Sequence, residues 1–221
     1  MAHIFSTSND ALALILTGLP IVLFLMAASF VPALCIGIAG GVLATTPWRI
    51  VRCIVAVYVY IFRSTPFLMF IFLVYYGLPE FGIDIGPITT AIIALSLSHG
   101  AYMTEIIRGG LLGLDKGQNE AGIAIGLNLF QRLKDITLPQ TLMTIIPSLL
   151  GQSILIIKDT SLVSVVGISE ITKLGREVVI RTNEPFVVFG LLALTYFVVC
   201  FVLERVAGKL EKRARLILAG R

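Results

Sequence analysis

The stretch ALALILTGLPIVLFLMAASFVPALCIGIAGGVLATTPW, residues 11–48, contains no Asp, Glu, Lys or Arg. Roughly 20 consecutive apolar residues cross the hydrocarbon core of a bilayer as a helix, so this run predicts a membrane span. It is too long for one straight crossing, and Pro20 and Pro32 interrupt it. We therefore expect a tilted or kinked first span near residues 13–45, with a hairpin of two half-spans as the alternative.

Four more apolar runs follow, and they are interrupted by few charges. They predict further spans near residues 53–78, 87–112, 140–157 and 185–205. The runs do not alternate as the strands of a membrane barrel do. With 57% hydrophobic and only 14% charged residues, against about 25% charged in soluble domains, the sequence indicates an all-α membrane protein of about five transmembrane helices.

The basic residues divide unequally between the two predicted sides of the membrane. Four of the 17 Lys and Arg residues fall on the side of the N-terminus, twelve fall on the other side, and Arg63 is unassigned. Cytoplasmic loops carry the Lys and Arg excess. The N-terminus is therefore predicted outside and the C-terminus in the cytoplasm, and this bias explains the net charge of +4 without a nucleic-acid partner.

Between the spans, the pattern predicts one break and several connecting segments. The sequence RSTP, residues 63–66, should break the second span, because Pro66 lacks a backbone donor and disfavours helix at the residue before it. A short basic turn is expected from Trp48 to Arg52. An outer segment, 158–184, should form one or two short helices, and residues 206–221 predict a basic amphipathic cytoplasmic tail.

The polar loop 115–139 is predicted to form a helix-turn-helix on the cytoplasmic side. Gln118 to Ile125 suits a short helix that Gly126 can end. Asn128 suits the cap of a second helix, LFQRLKDI, and Pro139 marks the entry to the fourth span. Exposed apolar residues rimmed by polar ones usually mark a docking surface.

The spacing EA-G-x3-G-x9-I-x-L-P in this loop resembles the EAA loop of ABC importer permeases, which docks on a cytoplasmic ATPase subunit. The matching positions are Glu120, Ala121, Gly122, Gly126, Ile136, Leu138 and Pro139. Gly122 is a departure, since the usual motif has alanine there. FRSTPFLMFIFLVYYGLP and LSLSHGAYMTEIIRGGLLGLDKGQNEA resemble the polar amino acid branch, as does the fourth span with the outer segment.

The resemblance implies a single permease transmembrane domain over residues 1–210 of a multi-pass protein of the bacterial inner membrane. It implies a second permease subunit, identical or paralogous, two cytoplasmic ATPase subunits and an external substrate-binding protein. The cargo would be a polar amino acid or derivative, moved by alternating access. ATP and Mg would bind to the partner ATPase and no cofactor to this chain, which lacks a GxxxxGK[ST] loop.

Several polar residues at membrane depth are candidates for the substrate path or a gate. The substrate-path candidates are Arg63, Ser96, His99, Lys158 and Asp159. Ionisable residues inside a membrane usually face the bundle interior or a water-filled cavity. A structural role remains open for each of them: His99 can be a hydrogen-bonded structural histidine, and Arg63 can extend to the interface.

Glu105 and Arg108 stand three residues apart and predict either a helical ion pair or an inner gate. The isolated residues Cys35, Cys53 and Cys200 predict neither a disulfide framework nor a metal site. No catalytic set is apparent, so an enzyme is the least favoured class. A self-sufficient secondary transporter or channel, supported by His99 and Arg63, is the alternative function, and a membrane scaffold is a third.

Overall fold

The computed structural model describes residues 11–219, and every regular element within that range is helical. The predicted outer N-terminus and the last two residues of the predicted tail lie outside the described residues. In chain order the helices are α1 (Leu19–Leu43), α2 (Arg49–Ser64), α3 (Phe67–Glu80), α4 (Gly86–Leu112), α5 (Lys116–Ala124), α6 (Leu129–Arg132), α7 (Leu138–Thr160), α8 (Ile171–Thr182) and α9 (Pro185–Ala219).

The predicted first span is one helical run rather than a hairpin. Helical residues 11–17 lead through a turn at Gly18 into α1, and the run from Ala11 to Leu43 is long and apolar enough to cross a membrane. Pro32 lies inside this helix without ending it. The hairpin alternative is therefore wrong.

Glycines on α1 allow it to pack closely against α4. A Cβ atom added to Gly37 would come within 2.5 Å of the Cβ of Met103, and one added to Gly41 would come within 2.6 Å of the Ile107 side chain. Real Cβ atoms do not approach other atoms so closely, and small residues let membrane helices meet at backbone distance. The glycine cluster therefore serves helix packing.

The predicted break in the second span is confirmed and is sharp. Thr65 and Pro66 are both extended, with ψ of 127° and 132°, and the two flanking helices are bent by 102°. The expected basic turn at residues 48–52 is wrong, because α2 already begins at Arg49 with Trp48 as its N-cap. No residue from Arg49 to Cys53 breaks a helix, so Arg49 and Arg52 lie in the first turn of α2.

A π-helical turn precedes two of the Leu-Pro pairs that lie within helical runs of the described residues. One covers Leu73–Gly77 and is followed by Pro79, and the other covers Leu133–Thr137 and is followed by Pro139. Proline lacks the N–H that an α-helix would direct to the carbonyl four residues earlier, and its ring crowds that carbonyl. A π turn just before the proline shifts these carbonyls, which lets the helix continue.

Helix α4 lies at the centre of the bundle, where it packs against α1, α2 and α7. It carries more buried residues than the other helices of the described chain, and many are small or polar. One apolar cluster includes Leu25, Ile71 and Leu95 and joins α1, α3 and α4. A second cluster, with Ile15, Ile157 and Val188, joins the start of the chain to α7 and α9.

All five predicted spans coincide with helices. Three helical runs are long and apolar enough to cross a membrane, namely Ala11–Leu43, Phe130–Val166 and Pro185–Arg213, and the bent pair α2 and α3 can add a fourth. The remaining predicted span is α4, whose Ser, Thr and His residues make it more polar. Which side of the membrane each loop faces stays a prediction.

The predicted outer segment forms two short helices, as expected. A 3-10 helix, Ser161–Val166, ends at Gly167 with φ of 91°, and α8 follows. The carboxylate of Glu170 caps α8 by accepting hydrogen bonds from the N–H groups of Thr172 and Lys173 at 2.8 and 2.9 Å, and from the Tyr196 hydroxyl at 2.8 Å. Glu170 is fully buried, and the bond from Tyr196 fixes the segment to α9.

Candidate coupling loop and transport path

The loop 115–139, which we call the coupling loop, begins with helix α5 and a tight turn. Asp115 caps α5 by accepting a hydrogen bond from the Gly117 N–H at 2.8 Å. Gly126 has φ of 80°, and the Leu127 N–H donates to the Gly122 carbonyl at 3.0 Å. Only glycine adopts this left-handed conformation without strain, so Gly126 ends the helix as predicted.

The second half of the coupling loop begins with a reciprocal cap. The Gln131 N–H donates to the Asn128 side-chain oxygen, and the Asn128 N–H donates to the Gln131 side-chain oxygen, both at 2.9 Å. This arrangement satisfies two backbone donors at the start of α6. The predicted helix-turn-helix is confirmed, but α6 does not end before the span: one helical run extends from Phe130 to Val166.

Gly122 is buried between the two halves of the coupling loop. A Cβ atom at this position would lie 2.9 Å from Cδ1 of Ile136 and 3.1 Å from the Arg132 side chain. The glycine that departs from the usual motif therefore matches close packing of Ile136 and Arg132 against α5. Glycine lowers the helix propensity of α5 by up to about 1 kcal/mol relative to alanine, and the close contact with Ile136 and Arg132 offsets this loss.

The outward face of the coupling loop is apolar and open to solvent. Ile125 is 75% exposed and Phe130 is 72% exposed, with Ile123 beside them. Of the predicted docking residues, four are exposed, two are half-buried and one is buried. The exposed residues are Glu120, Ala121, Gly126 and Leu138, the half-buried ones are Ile136 and Pro139, and the buried one is Gly122.

His99 lies in the bundle interior, where α4 faces α7. Its Nδ1 is 3.1 Å from the side-chain oxygen of Gln152, and its Nε2 is 3.2 Å from a carboxylate oxygen of Asp159. The second approach is close but is not aligned as a hydrogen bond. Sequence reasoning named His99 and Asp159 but missed Gln152, which stands seven residues before Asp159 and therefore on the same face of α7.

The adjacent residues Lys158 and Asp159 point to different faces of α7. Asp159 reaches towards α4, while Lys158 is exposed and lines a groove beside Tyr196 and Cys200 of α9. Ser96 is buried and donates to the Ser29 carbonyl of α1 at 3.3 Å. Its predicted place on the substrate path stays a prediction.

A second polar group lies where α2 bends away from α4. The guanidinium of Arg63 is 5.2 Å from the centre of the Tyr102 ring, and both residues line an open groove with Glu105. Arg108 donates two hydrogen bonds to the Glu105 carboxylate, at 2.9 and 2.7 Å, which forms the predicted ion pair. His99, Tyr102 and Glu105 follow one another at three-residue spacing along α4, so the two polar groups share one helix.

The family model described as the binding-protein-dependent transport system inner membrane component matches residues 36–216. The chain belongs to this family. Its members are permeases, so the chain is a multi-pass inner-membrane permease subunit and not an enzyme. Membership also makes it one component of a transport complex with ATPase and substrate-binding partners.

Two relatives match this permease over most of its length. The glutamine transport system permease protein GlnP of Escherichia coli K12 is 31% identical, over 94% of this chain and 95% of that protein. The arginine transport system permease protein ArtQ of Bacillus subtilis is also 31% identical, over 96% of this chain and 97% of that protein. Both similarities extend beyond the coupling loop.

A solved structure shares the fold of this permease. The crystal structure of an amino acid ABC transporter with histidines superimposes with a TM-score of 0.85 and 27% identity, covering 91% of this chain and 94% of that chain. The arrangement of helices described above is therefore that of an ABC transporter permease.

Proposed function

We propose that this permease imports a polar amino acid or a close derivative, in a complex with a second permease subunit, two cytoplasmic ATPase subunits and an external substrate-binding protein. The named cargoes of the two relatives, glutamine and arginine, are polar amino acids. ATP and Mg are expected on the partner ATPase, since the chain lacks a phosphate-binding loop.

The observation that carries the proposal is the continuity between the coupling loop and the transport path. One helical run, Phe130–Val166, begins in the exposed face of the coupling loop and contains both Gln152 and Asp159. Between its π turn, Leu133–Thr137, and its 3-10 end, Ser161–Val166, this run is an α-helix held by i to i−4 hydrogen bonds, with one bond missing at Pro147. A partner that moves the coupling loop would therefore move the His99 contacts through one continuous element.

The polar groups along this path complement a zwitterionic amino acid. Asp159 can receive an ammonium group near His99, and Arg63 can meet a carboxylate at the bend between α2 and α3. An isolated charge at membrane depth is costly and usually faces a cavity or a partner. We propose Arg63, His99 and Asp159, with Gln152, as the residues that line the path; Ser96 and Lys158 remain candidates.

The Glu105–Arg108 pair lies further along α4 and is the candidate inner gate. Its bidentate geometry makes it stronger than a typical exposed ion pair of a few tenths of a kcal/mol. Glu105 also lines the groove formed with Arg63 and Tyr102, so rupture of this pair would free its carboxylate to face that groove.

The test uses the reconstituted complex and compares ATP hydrolysis with uptake of radiolabelled amino acid. Glu120→Lys reverses a charge on the exposed face, and Gly126→Pro cannot adopt φ of 80° because proline is fixed near −65°. We expect both variants to insert normally but to lose most uptake while ATP hydrolysis becomes independent of the binding protein. Glu184→Lys, the same charge change outside the loop, should leave both activities unchanged.

Full uptake in both variants would refute the coupling role. Uptake by the purified chain alone, driven by an ion gradient, would favour the secondary-transporter alternative.

A further inference from the structure

A groove of about 700 Å³ lies between α7 and the C-terminal half of α9, away from the candidate transport path. Its floor is apolar and includes Pro147, Leu150 and Ile154 from α7 and Phe201 from α9. The volume lies within the range of about 300–1,000 Å³ that is typical of sites for small ligands. Neither the coupling loop nor the His99 contacts use this groove.

Two glycines keep the groove open. Gly151 on α7 and Gly208 on α9 both line it, and a Cβ atom added at either position would meet no other atom within 4 Å. Other glycines of the bundle, such as Gly37, lie in direct contact with a neighbouring helix. The space between α7 and α9 is thus left unfilled by side chains rather than closed by packing.

Charged residues line the end of the groove formed by the last turns of α9. Lys209 and Lys212 are exposed there, and an adjoining groove adds Arg213. Two glutamates, Glu204 and Glu211, also line it, so the cations exceed the anions by a small margin. Arg205 is placed over the Phe201 ring, at 4.8 Å from its centre, and covers the apolar floor.

An apolar floor with a basic rim matches the chemistry of an anionic phospholipid. We propose that this groove, called the α7–α9 groove, binds one such lipid, with an acyl chain on the floor and the phosphate near Lys209 and Lys212. Basic pockets between transmembrane helices on the cytoplasmic side are the usual sites for anionic head groups. In the predicted orientation the basic end of α9 lies at the inner leaflet.

The experiment counts lipids retained by the purified full-length chain. Native mass spectrometry in mild detergent measures retention after titration with phosphatidylglycerol or with phosphatidylcholine of the same acyl chains. We expect one phosphatidylglycerol to be retained at concentrations at least about tenfold below those needed for phosphatidylcholine. Gly151→Leu projects a bulky side chain into the groove, and the double variant Lys209→Gln, Lys212→Gln removes two charges without occupying it; each should abolish this preference.

Matched controls separate this site from general surface attraction. Gly190→Leu adds the same side chain in open space elsewhere on α9, and Arg176→Gln with Arg181→Gln removes two exposed charges from α8. Neither control should change retention. Equal retention of both lipids, or loss in the lysine variant but not in Gly151→Leu, would overturn the groove site. So would a cross-link from the variant Gly151→Cys to a polypeptide instead of a lipid.

Discussion

The coupling loop and the outer segment have the same parts but opposite surroundings. Each contains a capped short helix and a glycine with positive φ, Gly126 in one and Gly167 in the other. The capping carboxylate of the outer segment, Glu170, is fully buried, whereas Ile125 and Phe130 of the coupling loop are more than 70% exposed. One region is fixed to the bundle by its own contacts, and the other leaves apolar surface open to solvent.

The largest expected effect is the loss of the buried cap. Glu170→Ala removes the carboxylate that accepts three hydrogen bonds, which are donated by the N–H groups of Thr172 and Lys173 and by the Tyr196 hydroxyl. We expect the free energy of unfolding to fall by about 3 kcal/mol. Thermal unfolding of the purified chain measures the change. Glu120→Ala in the coupling loop should change the free energy of unfolding by less than about 0.5 kcal/mol. Similar values for both variants would show that the outer segment is no more firmly held than the coupling loop.

Close packing of the outer segment gives the next largest effect. A Cβ atom at Gly18 would lie 2.5 Å from the Ile171 nitrogen and 2.7 Å from the Glu170 carbonyl carbon, and backbone atoms cannot swing away. Gly18→Ala should therefore destabilise the chain by about 1–3 kcal/mol.

The same substitution in the coupling loop supplies the comparison. Gly126→Ala meets open space and costs only the strain of positive φ, about 1–2 kcal/mol. Gly190→Ala, in open space within α9, should stabilise by up to about 1 kcal/mol. A stable Gly18→Ala protein would show that the outer segment can move away from α1.

The Glu170 carboxyl also predicts a pH dependence of the outer segment. Burial raises the pKa of Glu170 above its ordinary value, although the hydrogen bonds it accepts partly oppose this shift. A carboxyl whose folded-state pKa is raised adds stability below its unfolded pKa and loses it as pH rises through the folded pKa. Thermal stability should therefore fall between pH 4.5 and neutral pH by more than in Glu170→Gln. Parallel curves for the two proteins would contradict the prediction.

The smallest effect concerns the inner packing of the coupling loop. Gly122→Ala gains helix propensity of up to about 1 kcal/mol but crowds Ile136, so we expect a net change below about 1 kcal/mol. Ile136→Val removes the Cδ1 atom that lies nearest. In the double variant the alanine should become stabilising, and a double-mutant cycle measures this coupling. Additive effects would show that Gly122 and Ile136 do not restrict each other.

The sequence predicted the helices because apolar runs and charges report membrane burial directly. The break at Pro66, the turn at Gly126 and the cap at Asn128 were also predictable, because each depends on the backbone chemistry of one residue. The different faces of Lys158 and Asp159 were not predicted, although adjacent positions of a helix are separated by 100°.

Contacts between elements far apart in the chain could not be predicted from the sequence. Gln152 meets His99 only because α7 packs against α4, and Glu170 meets Tyr196 only because α8 packs against α9. Neither pairing has a local signal. The π turns before Pro79 and Pro139 were missed for a different reason, since a proline in a helical pattern normally indicates an end.

The helical run from Phe130 to Val166 has 37 residues, which at an average rise of about 1.5 Å makes it roughly 55 Å long. A bilayer core measures about 30 Å, so this rod protrudes well beyond it. Pivoted at its midpoint, a tilt of only about 10° would sweep each tip through about 5 Å. A small rocking motion imposed on one surface of the membrane would thus reach the opposite surface through this run, in which the π turn Leu133–Thr137 and Pro147 are the places able to absorb part of it.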